Sequence, residues 1–296
     1  MRYKINFDFV KHRNKLMAVY AIVLVLGIVS LLVRGLNYGV DFRAGTNMDI
    51  DVGATVTVEQ AKEILAGAGY PDLNPTVGGG GDRLTVRFPV TLTQQETAAV
   101  EDAFAATFGN GVSSEVNTVD PELAREQLRN AVIGVLVASV AIVLYVILRF
   151  EWRFAFAGIA TLFLDAFVVI SVFSLFGLEV SLTFIAAVLT IIGYSINDTI
   201  VIFDRIRENL RFAKLKNEED LAEIVNNSIW QTFTRSINTG VTVLFAAIAL
   251  YVFGSESIRL FSLAIIIGTI AGAYSSIGVA SQLWYVLKKG SLGRSK

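Results

Sequence analysis

The sequence predicts a polytopic α-helical membrane protein with six transmembrane helices and one extracytoplasmic α+β domain between the first and the second. The first observation is composition, because 54% of the 296 residues are hydrophobic, only 17% are charged and the mean hydropathy is +0.59. Soluble domains carry about 25% charged residues. The second observation is the distribution of the hydrophobic residues along the chain. Long apolar runs lie on either side of residues 35–129, whose composition is that of a soluble domain.

The first transmembrane helix follows a basic segment. Residues 1–15 carry five Lys or Arg, and 16–33 is an uncharged apolar run of 18 residues, close to the roughly 20 that a spanning helix needs. A signal peptide is the competing interpretation, but its apolar region is usually about 7–15 residues long and ends at a small-residue cleavage site. Because Arg34, Leu36 and Tyr38 follow the run, we expect the segment to be uncleaved. The first unit is therefore residues 1–34.

Residues 35–129 alternate between strand and helix patterns. Period-two alternation predicts strands and helical spacing of apolar residues predicts helices. The order is strand 47–52, helix 58–68, strand 75–77, strand 84–90, helix 98–108 and strand 114–119. The order βαββαβ is that of a ferredoxin-like, split βαβ domain. The glycine run at 78–81 lacks the Lys-Ser/Thr of a phosphate-binding loop, so we expect a flexible hairpin there.

The third unit, residues 130–296, carries the other five spans. A helix is expected to begin at Pro121, since proline is favoured at the first helical position, and it becomes apolar after Asn130. The predicted spans are 131–148, 154–176, 182–203, 233–253 and 261–287. The long connection at 204–231 is rich in charge and has helical periodicity, which predicts interfacial helices.

Basic residues predict the orientation. With the N-terminus inside, the inner segments hold 17 Lys or Arg and the outer segments hold 8, seven of them between Arg34 and Arg129. Short cytoplasmic loops are enriched in Lys and Arg. We therefore expect both termini and the loop 204–231 in the cytoplasm, and the inserted domain outside.

Composition also excludes several classes of function. The net charge of −1 and the pI near 6.0 give no basic footprint for nucleic acid. Cysteine is absent and His12 is the one histidine, so we expect no metal centre of nitrogen or sulfur ligands. No nucleotide-binding motif occurs, which argues against ATP hydrolysis by this chain.

Two aspartates fall inside predicted spans, where ionisable side chains are costly and usually functional. Asp165 is the twelfth residue of the 23-residue third span, and we expect it near the middle of the bilayer. Asp198 precedes the interfacial Asp204 by six residues, about 9 Å at 1.5 Å per residue. Helical spacing places Tyr194 and Ser195 on the face of Asp198. Its neighbours on an adjacent face are Gly193 and Asn197.

Arg235, near the start of the fifth span, is the predicted partner of Asp198. The alternative is an interfacial anchor whose side chain snorkels. Asn238 and Thr239, with Ser236 and Thr242, could continue a hydrated path. Burial favours a protonated carboxyl group and a nearby guanidinium favours an ionised one, so such a pair could bind and release a proton. For Asp165, a role in tying helices together is an equal alternative.

Five segments resemble one known family. They are Val40-Asp41-Phe42-Arg43; Glu151-Trp152-Arg153-Phe154; Thr190 to Thr199, which includes Gly193, Tyr194, Ser195, Asn197 and Asp198; Phe203 to Asn209, which includes Asp204, Arg205, Arg207 and Glu208; and Thr234-Arg235-Ser236 with Asn238-Thr239. They resemble the SecF subunits of the SecD/SecF family, in the resistance-nodulation-division superfamily, over almost the whole chain. Two departures are Ala44-Gly45, where the family usually has Gly-Gly, and Leu164, where it often has histidine.

The resemblance implies a subunit of the bacterial cytoplasmic membrane that pairs with SecD beside the SecYEG channel. It implies use of the proton gradient, with no cofactor other than protons, to move preproteins across the membrane. The resemblance assigns proton coupling to Asp198 and Arg235. Two alternatives are an intramembrane aspartyl protease, with Asp165 and Asp198 as its dyad, and a stand-alone proton-driven exporter of a lipid or small hydrophobe.

Overall fold

The computed structural model describes residues 7–39, 41–78, 81–109, 111–213, 215 and 217–292. Within these ranges, six helical stretches are long and apolar enough to cross a membrane. They are α1 (Arg13–Arg34), α4 (Pro121–Arg149), α5 (Trp152–Phe176), α6 (Leu182–Phe212), α7 (Glu218–Phe253) and a last stretch made of α8 (Glu256–Ser275), a π-helical turn (Ser276–Ala280) and α9 (Ser281–Leu292). Each of the six predicted spans lies inside one of these helical stretches, so the predicted number of spans is confirmed.

The segment between α1 and α4 forms the predicted α+β domain. Its elements are β2 (Gly45–Asp51), α2 (Val58–Gly67), β3 (Thr76–Gly78), β4 (Arg83–Phe88), α3 (Gln94–Phe108) and β5 (Ser113–Val119). All neighbouring strands are antiparallel, and their order in the sheet is β3-β4-β2-β5. This is the ferredoxin-like arrangement that the βαββαβ order predicts. We refer to residues 45–119 as the inserted domain.

The inserted domain follows local sequence signals closely. Both of its helices begin with a capping box, in which Thr57 and Thr93 accept from the third helical residue and that residue accepts in return. Alternate residues of β2 and β4 are buried, among them Met48, Ile50 and Val86. They pack against the apolar faces of α2 and α3. The strand alternation read from the sequence therefore describes the core of this domain.

The glycine run at 78–81 joins two paired strands, as predicted. Gly78 of β3 lies opposite Arg83 of β4 in an antiparallel register, and residues 79 and 80 lie outside the described part of the chain. Pro121 stands at the start of α4, also as predicted. The predicted boundary at residue 129 between the second and third units falls within α4. The polar beginning of α4 and its apolar remainder form one helix.

The prediction of separate interfacial helices at 204–231 is wrong. Helix α6 continues to Phe212, and α7 begins at Glu218 behind a capping box formed by Asn217 and Asp220. The periodic apolar residues of this region, Leu221, Val225 and Ile229, are fully buried. Since they pack against the other long helices, the same periodicity extends α7 instead of forming a helix that lies at the membrane surface.

A second, two-stranded sheet was not predicted. β1 (Asn37–Tyr38) pairs in parallel with β6 (Glu179–Val180), with Tyr38 opposite Val180. Strands of two residues are too short to show a periodicity. This sheet joins the linker after α1 to the connection between α5 and α6. In the bundle itself, α6 packs against α5, α7 and α8, and α1 packs against α5.

Candidate functional site

Asp165 is held at the junction of four helices. Its side chain lies on α5 and is fully buried. The Tyr20 hydroxyl of α1 donates to Oδ1 at 2.6 Å, and the Ser275 hydroxyl of α8 donates to Oδ2 at 2.8 Å. The Ser195 hydroxyl of α6 also donates to Oδ2. An ionised carboxylate only accepts hydrogen bonds, so three hydroxyl donors suit it well and connect α1, α6 and α8 to α5.

The partners of Asp165 were largely missed from the sequence. Thr161, the neighbour predicted on the same face, is buried but donates to the backbone oxygen of Ala157 at 2.8 Å. Tyr20 is a polar group within the apolar run of α1, and Ser275 precedes the π-helical turn. A polar side chain in an apolar run was the available signal for both. That signal does not indicate which residue will be the partner.

Asp198 lies on the adjacent helix α6, and its carboxyl group accepts fewer hydrogen bonds than that of Asp165. The Ser236 hydroxyl of α7 donates to Asp198 Oδ1 at 2.5 Å. The second oxygen, Oδ2, is buried and has no hydrogen-bond partner within the described part of the chain. Buried polar atoms in native proteins nearly always have a partner. Seven buried side-chain atoms of the described residues lack one, and Asp198 Oδ2 is the single carboxylate oxygen among them.

The predicted ion pair between Asp198 and Arg235 is not formed. In the described ranges no basic side chain forms an ion pair with Asp198 within 4 Å. The reason is helical geometry, because consecutive residues point about 100° apart. Ser236 is buried against α6, and Arg235 is consequently turned to an exposed position.

Other predicted neighbours of Asp198 also face elsewhere. Ser195 points to Asp165 instead. Thr239 donates to the backbone oxygen of Arg235 at 2.8 Å, as a helical threonine often does. The side chains of Asn197 and Asn238 are exposed, and so is Gly193. Tyr194 does remain close, since its hydroxyl lies against Gly240 of α7. The chain by itself therefore leaves a polar strip of α6 and α7 uncovered.

The two aspartates do not form a protease dyad. Within the described part of the chain, Asp165 accepts from Tyr20, Ser195 and Ser275, whereas Asp198 accepts from Ser236 alone. No hydrogen bond among these residues joins the two carboxyl groups. A dyad of this kind needs a proton shared between adjacent oxygens. The geometry provides two separate carboxyl sites.

The charged segment from Asp204 to Asn209 joins three helices at the end of α6 far from the inserted domain. Arg149 of α4 lies 3.3 Å from Asp204, and Arg207 lies 2.7 Å from the same carboxylate. Arg205 pairs with Glu208 at 2.9 Å. Asn209 donates to Ser228 Oγ at 2.8 Å and to Gln231 Oε1 at 3.0 Å, both on α7.

The Asp41-Phe42-Arg43 segment joins the other end of the bundle to the inserted domain; Val40, the first residue of this motif, lies outside the described ranges. Asp41 Oδ2 accepts from the backbone N–H of Leu182 at 2.8 Å, which caps the start of α6. Phe42 is buried in the core formed by α5, α6 and α8. The Arg43 guanidinium lies 5.8 Å from the centre of the Tyr38 ring.

Two family descriptions match this chain. Residues 99–290 match "Protein export membrane protein SecD/SecF, C-terminal", and residues 29–56 match the "SecD/SecF GG Motif". The protein translocase subunit SecF of Alicyclobacillus acidocaldarius is 41% identical over 296 residues, which covers 99% of this chain and 96% of the relative. The chain belongs to the SecD/SecF family, as a SecF subunit. SecF subunits are transport proteins and not enzymes, and this one is a multi-pass membrane protein.

Fused relatives contain the SecF chain as part of a longer protein. The translocase subunit SecDF of Bacillus subtilis is 42% identical over 284 residues, covering 96% of this chain and 38% of the relative. The crystal structure of SecDF from Thermus thermophilus superposes with a TM-score of 0.86 at 36% identity. That match covers 97% of this chain and 40% of the solved chain. This chain thus spans about two fifths of the fused SecDF proteins.

The departure at Ala44-Gly45 has a structural explanation. Gly45 has a φ of 155°, and a Cβ at this position would collide with the backbone oxygen of Phe88. The second glycine of the SecD/SecF motif is therefore required by close approach of β2 to β4. Ala44 has no positive φ, so a side chain is accommodated at the first position.

Proposed function

We propose that this SecF chain pairs with SecD beside the SecYEG channel and uses the proton gradient to promote preprotein translocation. The observation that carries the proposal is the unpartnered, buried Oδ2 of Asp198. A carboxyl group with one hydrogen bond and one open oxygen can gain or lose a proton with little rearrangement. Asp165, with no open oxygen, serves as the structural anchor beside it.

The energy available is adequate for such a role. A proton that moves down a gradient of somewhat under 200 mV releases roughly 4 kcal/mol. A two-state helix packing moves from 1:99 to 99:1 with about 5.5 kcal/mol. Two protons per cycle therefore suffice for a full shift in the packing of α6 against α7, the pair that Asp198 and Ser236 connect.

The exposed polar strip supports SecD as the partner. Asn197, Arg235 and Asn238 are exposed at the α6–α7 face, and amide and guanidinium groups inside a membrane normally face protein or water. The fused SecDF relatives place a SecD half in the same chain. In this proposal the strip faces SecD, whose polar side chains complete the environment of Asp198.

The test compares Asp198→Asn with wild type in membrane vesicles that contain SecYEG and SecD. Preprotein export is measured with a proton gradient and after an ionophore has removed it. We expect the gradient-dependent part to be lost in Asp198→Asn while SecD still co-purifies. Asp165→Asn, which likewise replaces one carboxyl oxygen by an amide nitrogen of similar size, serves as the matched comparison. Unchanged gradient dependence in Asp198→Asn, with normal assembly, would refute the proposal.

The alternative is a stand-alone proton-driven exporter of a lipid or small hydrophobe. The apolar cleft among Ile142, Leu162 and Ile192 has a volume of only about 10 Å³, which is room for about one water molecule and not for a lipid. Co-purification from native membranes separates the two functions. Recovery of SecD with this chain supports the export subunit, and recovery of the chain alone in a functional state supports the exporter.

The proposed orientation places both termini in the cytoplasm of the bacterial cell and the inserted domain outside the cytoplasmic membrane. The chain has no cysteine, so single cysteines report their side without background. Glu59→Cys in α2 is expected to react with a membrane-impermeant maleimide from outside intact spheroplasts. Glu219→Cys in α7 is expected to react only after the membrane is opened, and the reverse pattern would invert the topology.

A further inference from the structure

Among the described residues, the ion pair between Arg87 and Glu179 connects the inserted domain to the membrane bundle. Arg87 lies on β4 of the domain, and Glu179 lies on β6, three residues before α6 begins. Their side chains form a salt bridge in which Arg87 is 32% exposed and Glu179 is 19% exposed. Arg87 is also near enough to Asp41, Arg43 and Asp49 to interact with their charges. The contact is therefore partly buried within a charged cluster at the junction of the two parts.

The linker after α1 passes directly over this ion pair. A Cβ at Gly39 would fall on the carboxylate of Glu179, so any other residue there would displace that carboxylate from its present position. The Gly39 N–H donates to the Val180 oxygen at 2.8 Å. This close approach places the linker, the domain and the α5–α6 connection in mutual contact.

Further contacts converge on the start of α6. Asn37 donates to the Gly177 oxygen at 3.0 Å, and Asp41 caps Leu182 at 2.8 Å. From Leu182 a single helix runs 16 residues to Asp198, a distance of about 24 Å at 1.5 Å per residue. A helix of this length transmits a displacement of its first turn along its axis.

We propose that the Arg87–Glu179 pair is the coupling joint through which movement of the inserted domain and movement of α6 are transmitted to one another. Glu179 is the positioning residue of this joint, and Gly39 provides its space. The proposal rests on the proposed proton-driven function for the source of the movement. The β1–β6 strands have two residues each, and a pair this short is not stable alone. The short sheet therefore depends on the contacts around it. The ion pair is a contact that reaches the inserted domain, so disturbing it weakens the joint.

A designed disulfide reports whether the joint is closed. Tyr38 and Val180 are opposite each other in the β1–β6 register, which is close enough for a disulfide, and the chain has no native cysteine. The rate of crosslinking in Tyr38→Cys/Val180→Cys under mild oxidation is measured in the intact complex. It is compared among the Glu179→Gln, Glu179→Arg and Arg87→Glu variants and the swapped double variant Arg87→Glu/Glu179→Arg.

We expect each charge reversal to slow crosslinking roughly tenfold, the equivalent of about 1.4 kcal/mol, and to reduce gradient-driven export. The swapped double variant should recover at least half of the wild-type crosslinking rate and at least half of the wild-type gradient-driven export. Glu179→Gln, a milder change, should show an intermediate loss. Arg83→Gln is the matched control, because Arg83 pairs with Asp51 inside the domain and both side chains are largely exposed; it should leave both measurements unchanged.

Several results would refute the proposal that this ion pair is a coupling joint. These are wild-type crosslinking and export in the reversed variants, a failure of the swapped variant to recover when it is folded and assembled, or an equal loss in Arg83→Gln. Gly39→Ala gives a further test without a change of charge, since it should displace Glu179 and slow crosslinking. If wild-type export itself does not depend on the gradient, the proposed function fails. The crosslinking rates and swap recovery still decide whether the joint exists.

Discussion

Asp165 and Asp198 are both aspartates and lie on adjacent helices, α5 and α6, yet the environments of their carboxyl groups are opposite. Asp165 accepts three hydroxyl donors from three other helices. Asp198 accepts one, and its other oxygen is buried with no partner among the residues that the structure describes. A fully satisfied carboxyl group holds its partners in place, whereas a half-satisfied one can exchange them at low cost. The difference separates an architectural aspartate from one suited to change state, and the predictions below test it.

The largest difference is expected in chemical reactivity. A hydrophobic carbodiimide, which modifies carboxyl groups in membranes, should label Asp198 and leave Asp165 unlabelled, because the three donors and complete burial shield Asp165. Peptide mass spectrometry of the labelled protein in its complex with SecD provides the measurement, and Asp198→Asn is the control for the assignment. Equal labelling of the two residues would contradict the comparison.

The next effect concerns stability. Asp165→Ala leaves the donors Tyr20, Ser195 and Ser275 without their acceptor, and we expect a loss of about 3 kcal/mol in the free energy of unfolding. Asp198→Ala removes one hydrogen bond and should lose at most about 1 kcal/mol. Reversible unfolding in mixed detergent measures both. A larger loss for Asp198→Ala than for Asp165→Ala would invert the roles assigned to them.

A smaller effect isolates one donor of Asp165. Tyr20→Phe keeps the ring and removes the hydroxyl that donates at 2.6 Å, so we expect a loss of about 1 kcal/mol, typical of a hydrogen bond between membrane helices. Tyr145→Phe on α4 is the matched control, because Tyr145 is 53% exposed. The same unfolding measurement should show no change for the control. If Tyr20→Phe is also neutral, Asp165 does not depend on α1.

The smallest effect extends the comparison to an aspartate outside the membrane helices. Burial raises the pKa of Asp49 above its ordinary range, and the Thr85 hydroxyl, which donates at 2.6 Å, opposes this only in part. The folded domain therefore disfavours ionised Asp49, and its stability falls as the pH rises from the ordinary to the raised value. Asp49→Asn should stabilise β2 and β4 by about 0.5 kcal/mol or less at neutral pH.

Hydrogen exchange of the amides in β2 and β4, measured in the intact chain, provides the test for Asp49→Asn. The difference between variant and wild type should disappear at a pH low enough to protonate Asp49 in both folded and unfolded chains. Slower exchange in wild type than in Asp49→Asn at neutral pH would reverse the sign and show that Thr85 outweighs burial.

The successful predictions came from periodic patterns and the failures from contacts between distant residues. The run 16–33 and the alternation of Leu84, Val86 and Phe88 are local, and the corresponding helix and strand follow them. The periodicity at 204–231 was read correctly as helical, but it could not distinguish a helix at the membrane surface from an extension of α7. The two possibilities differ in whether Leu221 and Val225 pack against another helix. The sequence pattern carries no information about that contact.

The candidate site shows the same limit at the scale of one residue. Helical spacing correctly assigned Asp198 to a polar sector of α6, but it could not decide that Ser236 and not Arg235 would face it. These two residues are neighbours in the sequence and differ only by rotation about the axis of α7. Likewise Ser195, three residues from Asp198, turns to Asp165. The spacing of residues along a helix shows which of them share a face. Which other helix packs on that face is decided by the tertiary structure.

The sequence by itself determined the number and position of the spans, the βαββαβ order of the inserted domain and the presence of two costly carboxyl groups inside the membrane helices. Apolar runs, periodicity and residue type are local properties, and an ionisable side chain inside an apolar run is visible in the sequence whatever its partners are. Tertiary structure alone decided which carboxyl group is satisfied. Tyr20 meets Asp165 across 145 residues of chain, and the open oxygen of Asp198 results from how α6 and α7 are rotated against each other.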